Sequence, residues 1–90
     1  MYTVLEHRDV AKTLKKAPLE ICQHYLAWKR IVELEGQRGL RLIKGFHDEA
    51  LKGVWRGFRS SRLNRQWRVI YQSDADQLCV YVVEINPHKY

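Results

Sequence analysis

E-A-L-K-G-V-W-R-G-F-R-S-S-R-L-N-R-Q-W-R-V-I-Y, residues 49–71, contains the turn and strands from which the rest of the chain can be read. Val54 to Leu63 and Gln66 to Gln72 are rich in β-formers and are separated by turn-forming Asn64 and Arg65. In the second run Trp67, Val69 and Tyr71 alternate onto one face, and Arg68 and Ile70 onto the other. A two-residue loop would set Arg62 beside Trp67 in the core, which its charge forbids. A three-residue loop, Asn64 to Gln66, pairs Leu63 with Trp67 inside and places Arg62 opposite Arg68 outside. That register is the expectation.

The same stretch carries the charge. The chain has 16 Lys and Arg against 10 Asp and Glu. Six of the cations are Lys52, Arg56, Arg59, Arg62, Arg65 and Arg68, and no acid interrupts them between Glu49 and Asp74. Without these six the remaining charges balance, so the whole formal net charge of +6 resides here. A basic excess this concentrated points to a polyanionic partner.

Outward from this stretch, Met1 to Leu5 reads as an opening strand. Asp9 is the expected N-cap of a short helix with Val10, Ala11 and Leu14 on its apolar face. Pro18 suits the first turn of a second helix. Ile21, Tyr25, Trp28 and Val32, with Leu19, Cys22 and Leu26, give it a wide apolar stripe as far as Glu35, and Gly36 is a natural stop. Residues 37–53 read as a loop with a short helical turn at Asp48 to Leu51. Leu78 to Ile85 is a last strand, joined to the preceding one through S-D-A-D. The expected architecture is α+β, in the order β-α-α-β-β-β: an antiparallel sheet with a helical hairpin on one face and arginines on the other. Ninety residues make a single domain, 1–90.

Composition excludes several classes. A hydrophobic content of 46% argues against disorder. No run approaches the roughly 20 apolar residues that span a bilayer. Charged residues within the first ten leave no secretory signal, and the expected location is the cytoplasm. Cys22 and Cys79 match no metal or redox spacing and read as buried free thiols. Neither a metal nor a cofactor is expected.

A sheet face bearing Arg62 and Arg68 suits phosphates, and Trp55 and Phe58 are aromatic enough to stack on bases. The alternative is an exposed face that the arginines merely solvate. Cleaving RNA without a metal needs a base for the 2′-hydroxyl proton, a cation for the phosphorane and an acid for the 5′-oxygen. Glu49, His24, His47, His88 and the tyrosines are candidates by type. His24 reads as an ordinary helix-surface histidine. His47 lies near Glu49, and His88 follows the last strand.

E-A-L-K-G, W-R-G-F-R-S-S-R-L-N-R-Q-W-R-V-I-Y and the closing P-H-K-Y resemble the RelE/ParE superfamily of toxin–antitoxin proteins, most nearly its RelE- and YoeB-like mRNA interferases. The resemblance implies a toxin that cleaves mRNA in the ribosomal A site, blocks translation and is held inactive by a cognate antitoxin. By position it implies Glu49 as general base and Arg68 as the arginine that stabilises the scissile phosphate. Arg62 falls near a Lys or His of relatives. It further implies His88 as acid or cationic group, and Tyr90 as the residue that orients or stacks on a base. Lys52, Arg56, Arg59, Arg62 and Arg65 are then the RNA-binding set. Ser60 and Ser61 stand in part of the basic cluster of RelE itself, which favours Glu/His chemistry over a lysine–arginine mechanism. A ParE-like protein that poisons DNA gyrase without catalysis, and a plain RNA-binding module, are the alternatives.

Overall fold

The computed structural model describes residues 1–87. The chain runs through β1 (Thr3–Glu6), α1 (Arg8–Lys16), α2 (Leu19–Glu35), α3 (Gln37–Arg41), β2 (Glu49–Ala50), β3 (Arg59–Arg62), β4 (Trp67–Asp74) and β5 (Cys79–Pro87). Single 3-10 turns lie at Lys44–Phe46 and Gly53–Trp55. The strands form one five-stranded sheet in the order β1-β5-β4-β3-β2.

The α+β class and the hairpin on one face are as expected, but the sheet is mixed. β1 pairs parallel with β5, Thr3 opposite Cys79 and Glu6 opposite Val82, whereas the other pairs are antiparallel. The parallel pair is possible because the two helices lie between β1 and the rest of the sheet in sequence, supplying the crossover that parallel strands need. The N-cap of α1 is His7 rather than Asp9: the Asp9 amide donates to His7 Nδ1 at 3.1 Å.

α2 buries Ile21, Tyr25, Trp28 and Val32, one stripe of a 3.6-residue helix, against the sheet. From the sheet side Val69, Tyr71, Val80, Val82 and Ile85 meet them. Trp28 stacks on Tyr25 at 5.7 Å between centroids and meets the edge of Tyr71 at 5.3 Å, geometries that suit the aromatic quadrupoles. Tyr25 donates to Glu6, which ties α2 to β1. The pairing of β4 with β5 shifts register between Ile70 and Tyr71, where Ile70 faces Glu84 and Tyr71 faces Val82. Val83 is the extra residue, and this bulge lets Val80, Val82 and Ile85 all reach the core although their spacing is uneven.

Residues 37–58 depart most from expectation. Helical geometry comes early, in α3 and at Lys44–Phe46, and Glu49–Ala50 is a strand where a helical turn was expected. The strand expected from Val54 begins only at Arg59; Val54 itself sits in a 3-10 turn, 97% exposed. Both cysteines are free thiols but half-buried, and Cys22 donates to the Leu14 carbonyl at 3.2 Å. His24 is more than a surface histidine: its Nδ1 lies 2.6 Å from the Leu63 carbonyl, which ties α2 to the β3–β4 hairpin.

Candidate nucleic-acid interface

The β3–β4 hairpin sets the site. Asn64 Oδ1 accepts from the amides of Gln66 and Trp67, both at 2.8 Å, so the side chain itself closes the three-residue loop. The Leu63 amide donates to the Trp67 carbonyl at 2.8 Å, and Arg62 pairs with Arg68 across the strands, as the sequence required. Like charges directly opposite one another weaken a strand pair. The arrangement is costlier still for Arg68, whose Nε is buried and finds no hydrogen-bond partner among the described residues. An unmade hydrogen bond to a buried donor costs about 1–3 kcal/mol. A phosphate oxygen would remove both costs.

β2 brings the carboxylate. Glu49 pairs with Ser60, and Ser60 pairs with Ile70, so Glu49 stands on the same face of the sheet as the arginines. Glu49, Arg62, Arg65 and Arg68 line one small pocket of about 140 Å³, together with His47, Ser60, Asn64, Gln66 and Trp67. His47 Nε2 is 3.6 Å from Glu49 Oε2, both side chains being about half exposed.

Asp48 lies between these two residues in sequence and points the other way. Its side chain is wholly buried and accepts from Gln37 Nε2 at 3.0 Å, Arg59 Nε at 3.0 Å, Ser61 Oγ at 2.8 Å and the Tyr71 hydroxyl. Burial first, then the hydrogen bond and charge of Asp48, raise the Tyr71 hydroxyl well above the usual phenol range. For Arg59 burial acts to lower the pKa, but hydrogen bonding and attraction to Asp48 outweigh it and the guanidinium ends above its ordinary value.

The sequence-derived residues therefore separate. Glu49, Arg62, Arg65 and Arg68 converge on the pocket. Lys52 and Arg56 are exposed and do not line it. Arg59, expected among the RNA contacts, is turned to the helix side by strand alternation and is bound to Asp48, so the structure gives it a structural role. Trp55 and Phe58 pack edge-to-face on one another at 5.4 Å, away from this pocket. His88 and Tyr90 lie outside the described residues. Among the described residues no three His, Cys, Asp or Glu gather into a metal-sized cluster. Sequence reasoning missed Asp48. Its signal was its place between two residues that alternation sends to the opposite face.

A five-stranded mixed sheet carrying a helical hairpin on one face matches the fold of RelE-like toxins. The archaeal RelE–RelB complex from Pyrococcus horikoshii OT3 has it, at a TM-score of 0.75 and 24% identity over 96% of this chain and 93% of that one. So does the YoeB–YefM complex from Staphylococcus aureus, at 0.73 and 15% over 99% of each chain. The toxin–antitoxin complex RelBE2 from Mycobacterium tuberculosis follows at 0.70 and 18%, covering 97% of this chain and 98% of that one. At such identities the likeness is one of fold. No protein-family model matches the chain, and a search of curated proteins finds no significant match.

Proposed function

We propose that the protein is the toxin of a type II toxin–antitoxin pair, a cytoplasmic endoribonuclease that cleaves mRNA in the ribosomal A site and stops translation. The observation that carries the reading is Arg68 Nε, buried without a hydrogen-bond partner among the described residues, in a pocket that Arg62 and Glu49 also line. A sheet face kept only for solubility has no use for a buried guanidinium N–H that the described residues leave without a partner. The fold neighbours support the toxin reading, since RelE–RelB, YoeB–YefM and RelBE2 are all structures of toxin–antitoxin pairs.

In this reading Glu49 takes the 2′-hydroxyl proton as the 2′-oxygen attacks the adjacent phosphorus. Arg68 and Arg62 hold the phosphoryl oxygens and stabilise the charge that grows on them. The P–O5′ bond breaks, its electron pair leaves with the 5′-oxygen, and an acid protonates that oxygen. Cyclic 2′,3′-phosphate and 5′-hydroxyl ends remain. His88 is the acid in this scheme and Tyr90 orients the base. Arg65, Lys52 and Arg56 contribute to RNA affinity. The partner is a cognate antitoxin whose acidic or amphipathic segment covers the basic pocket.

Arg68→Ala is expected to lower mRNA cleavage on programmed ribosomes by at least ~10²-fold, the scale of a lost transition-state ligand. Cleavage at the wild-type rate by a folded Arg68→Ala protein contradicts the reading.

A further inference from the structure

The residue that decides where Glu49 stands is not in the pocket. β2 is two residues long and pairs with β3 through two residues only, Glu49 with Ser60 and Ala50 with Arg59. Beyond it one backbone bond continues the pairing, from the Leu51 amide to the Phe58 carbonyl at 2.9 Å. On the other side His47 sits in the left-handed region, φ 44° and ψ 49°, a conformation that non-glycine residues adopt only when their surroundings hold them there. So short a ladder is weak by itself. What anchors this segment is Asp48. Its carboxylate gathers donors from three elements: Gln37 of α3, Arg59 and Ser61 of β3, and Tyr71 of β4. Tyr71 in turn is packed against Trp28 in the middle of the core.

We infer that Asp48 is a positioning residue. By clamping the underside of the segment it fixes Glu49 and His47 on the upper side, in the pocket that Arg62 and Arg68 also line. The catalytic half of this inference rests on the nuclease reading above; the anchoring half does not. Displacing a reacting group by about 1 Å can cost 10²-fold in rate, so a clamp on the backbone that carries the base has a direct consequence for turnover.

Two measurements on the full chain test it, with Asp48→Asn and the milder Arg59→Gln, which keeps every atom of the carboxylate. The first is amide hydrogen exchange. Both variants should speed exchange at Glu49 to Leu51 by about tenfold or more while the amides of β4 and β5 stay protected, because local opening and global unfolding are separate events. Unchanged exchange at Glu49 to Leu51, or an equal loss of protection throughout the sheet, overturns the inference, since Asp48 is then either idle or an ordinary core residue. The second is a double-mutant cycle in mRNA cleavage, run well below the unfolding temperature of each variant. Asp48→Asn should cost about 10–100-fold alone and less than about twofold in a Glu49→Gln background, because a residue that acts through Glu49 has nothing left to position. Independent, additive losses overturn it. A wild-type protein that cleaves no RNA defeats the nuclease reading, and the exchange experiment then still decides whether Asp48 anchors the segment.

Discussion

Arg68 holds a buried N–H without a partner among the described residues, and it does so directly across the strands from Arg62. Both features work against folding, so relieving them should strengthen the fold while removing the proposed phosphate ligand. Arg68→Met keeps the length of the side chain, drops the orphan donor and ends the like-charge pair. It is expected to raise the unfolding free energy by about 1 kcal/mol, read as a higher urea midpoint at unchanged m-value, in a protein that no longer cleaves RNA. A lower midpoint would mean that Arg68 contributes to the fold rather than burdening it. The pairing of Arg62 with Arg68 was legible in the sequence, because a charged residue cannot share the core with Trp67 and one loop length alone avoids it. The role of Arg59 was not. A run of cations looks uniform until strand alternation is combined with the position of Asp48, and Asp48 is brought to β3 by the tertiary fold.

At the level of elements, α2, β4 and β5 were readable because each carries several periods of its pattern. The span from Gln37 to Phe58 was not, since α3, β2 and the 3-10 turns are too short to show any period and are held by long-range bonds. The parallel pairing of β1 with β5 likewise joins the two ends of the chain and leaves no local trace. One boundary is sharply specified. Gly36 ends α2 at φ 69° and ψ −165°, a region that glycine alone occupies readily, and a Cβ there would overlap the ring of Tyr2. Gly36→Ala should therefore destabilise the protein by about 2 kcal/mol or more, and the loss should be visible as a lower thermal midpoint. An unchanged midpoint would show that α2 and the N-terminal strand are not locked together at this corner.

The whole molecule is fastened by two buried tyrosines, each donating to a carboxylate: Tyr25 to Glu6 and Tyr71 to Asp48. Burial and the neighbouring carboxylate push both hydroxyls far above the usual phenol range. In the unfolded chain a tyrosine ionises near pH 10. Above that pH the unfolded state has released protons that the native state keeps, so stability, intact below about pH 10, must drain away as pH rises further, by about 1.4 kcal/mol per pH unit for each tyrosine. Urea titrations between pH 8 and 11 check this, and Tyr25→Phe with Tyr71→Phe should flatten the alkaline limb. A limb equally steep without the two hydroxyls would place the linkage elsewhere.

The central claim is that the Arg62, Arg68 and Glu49 pocket cleaves mRNA on the ribosome. Primer extension on cellular mRNA after induction tests it most directly, since it reports cleavage and its position relative to codons together. The account predicts new 5′ ends within translated frames when the wild-type protein is induced, and their absence when the folded Arg68→Met protein is induced at the same level. Intact mRNA after wild-type induction, or the same ends from Arg68→Met, would contradict it.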